Sequence, residues 1–181
     1  MNKDRDFALL EDCKRGDRKA LDSLVRRYER PVYNAAFRML GNPDEAADVM
    51  QTTFLKAFEN LDRFNPKFKF FSWIYRIAIN ESINQLNRRG RTEPLAESLA
   101  SDTRGPDERI DTSRSERQVQ AVLMSMQDDH RAVLVLRHYS EFSYRQIGEI
   151  LQIPEKTVKS RLFTARQQMK QKLQENGILS A

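Results

Sequence analysis

The feature that most constrains the fold is one break in an otherwise continuous helical pattern. Apolar residues recur at intervals of three and four along most of the chain, as they do in amphipathic helices. Residues 92–112 interrupt this pattern with two prolines, a glycine, few apolar side chains and six acidic against two basic residues. That composition is typical of a flexible linker. The sequence therefore predicts an all-α fold of two small helical domains, at residues 1–91 and 113–181.

Composition excludes several other classes of protein. No strand-like alternation of useful length occurs, and 181 residues include only six glycines and six prolines, which favours helices. No apolar run approaches the ~20 residues of a membrane-spanning helix, and the first residues lack the apolar stretch of a signal peptide. We therefore expect a cytoplasmic protein without membrane insertion. The single cysteine, Cys13, lies in an apolar stripe and is expected to be a core residue rather than a redox sensor.

No catalytic constellation is visible in the sequence. It contains no nucleophile–base set and no phosphate-binding loop. Its two histidines, His130 and His138, lack the cysteine or carboxylate neighbours that a metal site needs. We therefore expect no enzymatic activity, no cofactor and no metal.

Basic charge is concentrated in two blocks. Residues 63–91 carry seven basic residues and one acidic residue, and residues 155–181 carry six and two. Two basic blocks separated by an acidic segment indicate two contacts with a polyanion. The alternative at this point is that both blocks are ordinary solvated surface.

The predicted helix over residues 44–62 has an unusual acidic side. At 100° per residue, one face gathers apolar residues and is expected to be the core face: Ala47, Met50, Phe54, Ala57, Phe58 and Leu61. An adjacent stripe holds four acids, no base and a leucine: Asp44, Asp48, Gln51, Leu55, Glu59 and Asp62. This stripe is either a solvated face or a docking surface for a basic protein partner around Leu55.

Residues 64–89 combine aromatic rings with polar side chains. Six of the sixteen aromatic residues lie within twelve positions here, and Lys67 and Lys69 alternate with them. The helix that follows, predicted from about Ser72 to Gly90, carries a polar stripe without acids: Trp73, Arg76, Asn80, Asn84 and Asn87. Amides and arginine pair with base edges, and rings stack on unpaired bases. We expect backbone contacts from Arg88, Arg89 and Arg91. An asparagine-rich solvated helix is the alternative.

A helix-turn-helix is predicted over residues 143–172. Ser143 and Gln146 form a capping box, a turn at residues 152–154 follows, and Gly148 allows two helices to cross closely. The outward face of the second helix has no acid: Lys156, Lys159, Ser160, Phe163, Thr164, Gln167 and Lys170. Phe163 can contact a thymine methyl group, and Arg161 and Arg166 can reach phosphates. A plain helical hairpin is the alternative.

Four blocks in this order resemble the extracytoplasmic-function sigma factors of bacterial RNA polymerase. The first includes Gly16-Asp17 and Tyr28. The others read ADVMQTTFLKAF at 47–58, FSWIYRIAIN at 71–80, and SYRQIGEIL with TVKSRLFTAR between 143 and 166. A helix-turn-helix alone is a weak signal, but all four blocks with this linker are specific. The resemblance covers nearly the whole chain.

The resemblance implies a role for each face. Asp48, Gln51, Leu55 and Glu59 resemble the surface that docks on the clamp helices of the polymerase β′ subunit. A second set resembles the reader of the −10 promoter element, which melts the duplex and captures a flipped base: Lys67, Trp73, Arg76, Asn80, Asn84 and Arg88. A third set resembles the reader of the −35 element: Lys156, Lys159, Ser160, Arg161, Phe163 and Arg166.

The same resemblance implies three partners. They are core RNA polymerase, through its β′ clamp helices and β flap, promoter DNA, and an anti-sigma factor that buries both DNA-reading surfaces. The residues alone are compatible with two other functions. One is a stand-alone regulator that binds duplex DNA through residues 143–172, and the other is an RNA-binding protein that uses residues 64–89. A repressor would need neither the acidic stripe nor the aromatic block.

Overall fold

The computed structural model describes residues 3–92 and 110–179, and most of the predicted linker lies outside the described residues. The described parts contain eight α-helices and no strand. The helices are α1 (Lys3–Lys14), α2 (Arg18–Leu40), α3 (Pro43–Glu59), α4 (Phe70–Thr92), α5 (Ile110–Met124), α6 (Asp128–Leu134), α7 (Tyr144–Leu151) and α8 (Glu155–Glu175). A 3₁₀ turn at Leu61–Arg63 follows α3, and a π-helical turn at Val135–Tyr139 follows α6. The predicted all-α fold is confirmed.

Side-chain caps mark the starts of two helices. The Asp17 carboxylate accepts a hydrogen bond from the Lys19 backbone N–H at 2.8 Å, at the start of α2. At the start of α7, the Ser143 hydroxyl accepts from the Gln146 N–H at 3.3 Å. The Gln146 side chain in turn accepts from the Ser143 N–H at 2.8 Å. This reciprocal pair is the predicted capping box.

The α3 helix begins at Pro43, one residue before the predicted start at residue 44. Asn42, not Asp44, caps this helix, and its side-chain oxygen accepts from the Asp44 and Glu45 N–H groups at 2.9 and 3.1 Å. Pro43 takes the first helical position, where its missing N–H costs nothing. Asp44 therefore lies inside the first turn, where its charge favours the helix dipole.

The core face of α3 is rotated relative to the prediction, and the helix ends at Glu59 rather than near Arg63. Phe54, Ala57 and the following Leu61 are buried as expected, but three half-buried residues lie at the edge: Ala47, Met50 and Phe58. Ala46, Val49 and Thr53 are buried in their place. The sequence pattern missed Thr53 because it is polar. Its hydroxyl donates to the Val49 carbonyl at 2.7 Å, which removes the cost of burying it.

The first half is a bundle in which α2, α3 and α4 pack on one another and α1 lies against α2. The buried Asp6 carboxylate fixes α1, since it accepts hydrogen bonds from the Tyr28 hydroxyl at 2.5 Å and from the Arg27 guanidinium. The α1 helix also carries the apolar stripe in which Cys13 was predicted to lie. Of its apolar stripe, Leu10 is buried, Cys13 is half-buried and Phe7 is exposed.

The second half contains the predicted helix-turn-helix, formed by α7 and α8. The inward residues Val158, Leu162 and Ala165 of α8 are buried as predicted. Gln152 closes α7 in the left-handed conformation, with φ of 56°. A side chain at Gly148 would place its Cβ 2.8 Å from the Ile153 carbonyl oxygen. Gly148 is therefore required because the backbone of the turn passes against it.

None of the helices in the described ranges combines the length and the apolarity that crossing a bilayer requires. The helix α5 begins at Ile110, so its first residues fall within the segment that the sequence assigned to the linker.

We predict that Gly148→Ala lowers the free energy of unfolding by about 1–3 kcal/mol, because the added methyl must displace the backbone of the turn. Equilibrium urea denaturation measures this change. Gly90→Ala is the matched control, since Gly90 lies in α4 with nothing within 4 Å of an added Cβ. It should leave stability unchanged or raise it by about 0.5–1 kcal/mol. Equal stability of both variants would contradict the steric role of Gly148.

Candidate nucleic-acid and polymerase-binding surfaces

The acidic stripe of α3 lies open on the surface. All six of its residues are exposed, and Leu55 in its middle is 63% exposed. The neighbouring Lys56 does not neutralise the stripe, because its ammonium pairs with Glu81 of α4 at 2.7 Å. An exposed leucine ringed by carboxylates is suited to bind a partner that is both apolar and basic.

The residues of the polar stripe of α4 differ in their exposure. Asn80, Asn84, Asn87 and Arg88 are exposed, as the sequence predicted. Trp73 is half-buried, since its ring packs 5.2 Å from the Phe64 ring and 5.9 Å from the Phe70 ring. The core face of α4 is formed by its buried apolar residues: Phe70, Phe71, Ile74, Tyr75, Ala78 and Ile79.

Arg76 does not share the open surface of the asparagines. Its guanidinium donates to the backbone carbonyl of Glu149, in α7 of the second half, at 2.6 Å. Its Nε is buried without a hydrogen-bond partner. In this conformation Arg76 is therefore held by protein rather than presented to a ligand.

The one acidic residue of the first basic block is paired. Glu81 lies on α4 beside Asn80, and its ion pair with Lys56 leaves it half-buried. The pairing offsets the negative charge that Glu81 would otherwise bring to the polar stripe. The predicted backbone contact Arg89 is half-buried and pairs with Glu45 of α3, so the exposed part of α4 presents chiefly amides to a ligand.

The loop before α4 contains a small depression that the sequence did not fully predict. Its aromatic wall includes Phe64 and Phe68, and Phe68 is 45% exposed. Asp6 and Phe7 of α1 complete the lining, and no sequence pattern placed α1 here. The predicted Lys67 is exposed in the same loop. Exposed rings beside lysines are suited to stacking on unpaired bases.

The outward face of α8 is exposed along its length, and Phe163 is 66% exposed. Lys156 and Ser160 are exposed, and Lys159 lies 3.5 Å from Glu155 in a surface ion pair one turn away. Such an exposed pair is weak and breaks readily. The residues predicted to read the −35 element thus all lie on α8, and all of them except Arg161 are exposed.

Arg161 and Arg166 flank this face in different ways. The Arg161 guanidinium is half-buried and pairs with Asp129 of α6 at 2.8 Å. Arg166 is exposed, and its Nε donates to the His138 Nε2 at 3.3 Å. Burial, Arg166 and Arg137 lower the pKa of His138 below its usual value, which keeps the ring neutral and able to accept this bond.

An apolar groove of about 310 Å³ lies between α8 and the helices that precede it. Leu123, Leu134, Met169, Leu173 and Leu179 line it, with Arg166 and Lys170 among its basic residues. No sequence pattern predicted a concave surface here. A groove with apolar walls and basic residues at its rim is suited to an apolar segment of a partner protein.

Comparison with known proteins identifies both halves. Residues 24–92 match the model of Sigma-70 region 2, and residues 116–169 match that of Sigma-70, region 4. The RNA polymerase sigma-H factor of Pseudomonas aeruginosa is 32% identical, with 96% of each chain covered. The ECF RNA polymerase sigma factor SigW of Bacillus subtilis is 32% identical over 92% of this chain and 95% of its own. The chain belongs to the extracytoplasmic-function sigma factors.

The fold agrees with this assignment. A solved structure of the sigma factor RpoE in complex with the anti-sigma factor NepR, from Bartonella quintana, superposes with a TM-score of 0.68. That comparison has 22% identity and covers 86% of this chain and 98% of the other. The extracytoplasmic-function sigma factor described here directs promoter-specific initiation of transcription by RNA polymerase. Proteins of this kind are initiation factors rather than enzymes.

Neither the histidines nor the single cysteine form a metal site within the described ranges, where no group of three His, Cys, Asp or Glu side chains could hold an ion. Cys13 is half-buried at the edge of the core. Burial, together with Asp17 and Asp12, raises the pKa of its thiol. A raised pKa leaves little of the reactive thiolate near neutral pH.

We predict that Cys13 of the native sigma factor reacts with iodoacetamide at pH 8 several-fold more slowly than the same thiol in urea. The rate should rise with pH through a midpoint above the usual value of about 8.5. Timed alkylation followed by mass spectrometry measures both quantities. A native rate equal to or faster than the unfolded rate would contradict the buried position of Cys13.

Proposed function

We propose that this sigma factor joins core polymerase to promoter DNA through three separate surfaces. The acidic stripe of α3 binds polymerase, the loop before α4 together with α4 reads and melts the −10 element, and α8 reads the −35 element. The supporting observation is that three differently composed faces lie exposed on different helices. We propose residues 1–91 and 113–181 as the two domains, with residues 92–112 as the linker.

The acidic stripe is suited to the clamp helices of the polymerase β′ subunit. Leu55 would supply the apolar centre of the contact, while Asp48, Gln51 and Glu59 would supply its polar rim. Charged rims of this kind steer association and select partners more than they add affinity. The exposed position of Leu55, at 63%, supports this role.

The apolar groove beside α8 is our candidate contact for the polymerase β flap. Met169 and Leu173 of its wall turn inward, whereas Phe163 turns outward on α8. Arg166 and Lys170 line the groove as well as the border of the outward face. A partner in the groove would therefore lie beside the DNA-reading face and leave Phe163 uncovered.

At the −10 element, the exposed asparagines of α4 would contact base edges, with Arg88 and Lys67 near the backbone. Unstacking DNA costs on the order of 1.4 kcal/mol per step. A chain without a nucleotide-hydrolysing site must offset this cost by trapping the unpaired bases. The exposed ring of Phe68, next to Lys67, is the surface on which an unpaired base would stack.

At the −35 element, α8 would enter the major groove. Lys159, Ser160 and Phe163 would face the bases, and Lys156 and Arg166 the phosphates. Arg161 would reach a phosphate only after leaving Asp129. Because Arg161 would exchange an ion pair for a phosphate contact, its contribution to DNA binding would depend on salt and not on the base sequence.

An anti-sigma factor is the regulator we propose, acting in the cytoplasm, where polymerase works. Two observations support it. One is membership of the family whose relatives include SigW, and the other is the fold shared with the RpoE–NepR complex. The inducing signal would act on that regulator rather than on this chain.

We predict that Asp48→Arg weakens binding to core polymerase, because like charges brought together at an interface cost on the order of a few kcal/mol. Titration of core enzyme with labelled sigma factor measures the loss. Asp22→Arg is the control, since Asp22 is exposed on α2 away from the stripe. Unchanged core affinity of the Asp48 variant, with its helical content intact, would refute the docking assignment.

We predict that Asn80→Ala impairs opening of the promoter more than binding to the closed duplex, since the amide acts on bases that become unpaired. Permanganate reactivity of −10 thymines reports opening, and gel shift of the holoenzyme reports binding. Asn34→Ala, an exposed asparagine on α2, provides the control. Normal permanganate reactivity would count against the role of Asn80.

We predict that Lys159→Ala weakens recognition of the −35 element by about 1–3 kcal/mol, the usual cost of losing a specific base contact. Its surface ion pair with Glu155 contributes little that could mask the loss. Transcription from a promoter with an intact or a substituted −35 element measures the effect. Lys19→Ala on α2 serves as the control. A variant that still discriminates between the two promoters as the wild type does would rule the assignment out.

A further inference from the structure

One hydrogen bond joins the π-helical turn after α6 to the helix proposed to read the −35 element. The Nε of Arg166 on α8 donates to the Nε2 of His138 at 3.3 Å. His138 belongs to the turn at Val135–Tyr139, and the two residues lie 28 positions apart in the sequence. The bond bears on function because Arg166 is one of the residues proposed to hold a phosphate.

The π-helical turn directs three successive side chains to three different parts of the fold. The Arg137 guanidinium donates to the Phe142 carbonyl, in the loop before α7, at 2.9 Å. The centre of the Tyr139 ring lies 4.5 Å from the Arg38 guanidinium of α2. His138, between them in sequence, faces α8 instead. Turns of this kind are rare and are frequent at functional sites.

The His138 ring is neutral near neutral pH. Burial is the largest cause that lowers its pKa, followed by Arg166 and Arg137. The titratable groups around it also include Lys170 of α8 and Tyr139, which line the same groove. A neutral imidazole accepts through one ring nitrogen and donates through the other. Since Nε2 accepts from Arg166, the proton of the ring lies on Nδ1.

The bond leaves the phosphate-binding end of Arg166 open. It uses Nε, and within residues 3–92 and 110–179 neither Nη group makes a hydrogen bond. Lys159 and Arg161, by contrast, pair with carboxylates that a phosphate must replace. Because His138 carries no charge, it orients the guanidinium without neutralising it.

Orienting a long side chain before DNA arrives makes its contact stronger. An arginine that becomes ordered only when it binds loses its rotamer freedom at that moment, which weakens binding about threefold to tenfold. The hydrogen bond from Arg166 to His138 already restricts this side chain in the free protein. Part of the entropic loss therefore occurs before a phosphate binds.

We propose that His138 is a positioning residue for the −35 contact, which holds the Arg166 guanidinium with both Nη groups free to bind a phosphate. His138 acts through Arg166 and does not itself touch DNA. This role rests on the proposed function of α8. It follows that an acceptor at position 138 strengthens DNA binding only when Arg166 is present.

Two substitutions in the full-length chain separate the acceptor from the rest of the side chain. His138→Gln keeps an oxygen that can accept from Arg166, whereas His138→Met offers a thioether, which accepts only weakly. The glutamine variant is therefore the matched control for the methionine variant. Both substitutions are also made in a chain that carries Arg166→Ala, which completes a double-mutant cycle. Circular dichroism checks that each variant keeps its helices.

Binding of the holoenzyme to a duplex that contains the −35 element and ends before the −10 element measures the effect. His138→Met should weaken this binding about threefold to tenfold, and His138→Gln should bind as the wild type does. In the Arg166→Ala chain, His138→Met should cause no further loss, because the side chain that His138 positions is absent.

Nitrogen-15 NMR of the free sigma factor tests the bond without DNA or polymerase. The sequence has two histidines, so the signals that disappear in His138→Gln belong to His138. The neutral His138 ring should carry its proton on Nδ1. Its pKa should rise in the Arg166→Ala chain, because a neighbouring cation that disfavours the protonated ring has been removed.

Three results would overturn the proposal. One is equal DNA binding by the wild type and His138→Met, and another is an equal loss with and without Arg166. The third is a His138 pKa that Arg166→Ala does not change. If the wild-type holoenzyme binds equally well to a duplex with a substituted −35 element, the proposed function of α8 fails instead. The NMR measurement then still decides whether His138 holds Arg166.

Discussion

A single buried guanidinium organises the second half of this sigma factor. Arg131 is 4% exposed, and it donates to the carbonyls of Leu123, Met124 and Met126 at 2.8 to 2.9 Å. These carbonyls lie where α5 ends and the chain turns into α6. The same side chain reaches the Met39 carbonyl of the first half at 2.7 Å. Burial lowers the pKa of Arg131, and the four carbonyls, with Asp128 nearby, offset the cost of the buried charge. The position of α6 follows from this set of bonds, and α6 supports α8.

The three proposed surfaces divide the work in a way that physical chemistry favours. A helix that contacts phosphates through lysines binds DNA strongly but with little selectivity. Selective binding requires base contacts at both promoter elements. Melting of the duplex requires a protein surface that binds the unpaired bases. A chain of this size meets both requirements only as part of a larger complex. The separation of docking stripe, asparagine face and α8 onto different helices lets polymerase, −10 DNA and −35 DNA be held at once.

Local sequence rules predicted what depends on near neighbours. The helical periods, the capping box of Ser143 and Gln146, and the exposure of Leu55 and Phe163 all follow from spacing and residue type. The α3 helix starts one residue before the predicted residue 44, because Asn42 caps it and Pro43 suits the first helical position.

Features that join distant parts of the chain could not be predicted in this way. Phe142 is one aromatic residue in a loop, and only the fold places it against Phe71 and Tyr75. Arg131 precedes an apolar run, which indicates that it is buried. The sequence does not identify the groups that bind its guanidinium. Arg161 was expected at a phosphate, yet its partner in the free chain is Asp129, which lies 32 residues earlier in the sequence. The roles of the individual docking and DNA-reading residues remain predictions.

The most direct test of the account is run-off transcription with purified core polymerase and a pool of genomic promoter fragments, with and without this protein. The account predicts new, discrete transcripts that depend on the added sigma factor and whose start sites share a −10 and a −35 sequence. No transcripts, despite demonstrable binding of the same preparation to duplex DNA, would contradict it. That result would favour a stand-alone regulator and leave the α3 and α4 assignments without support.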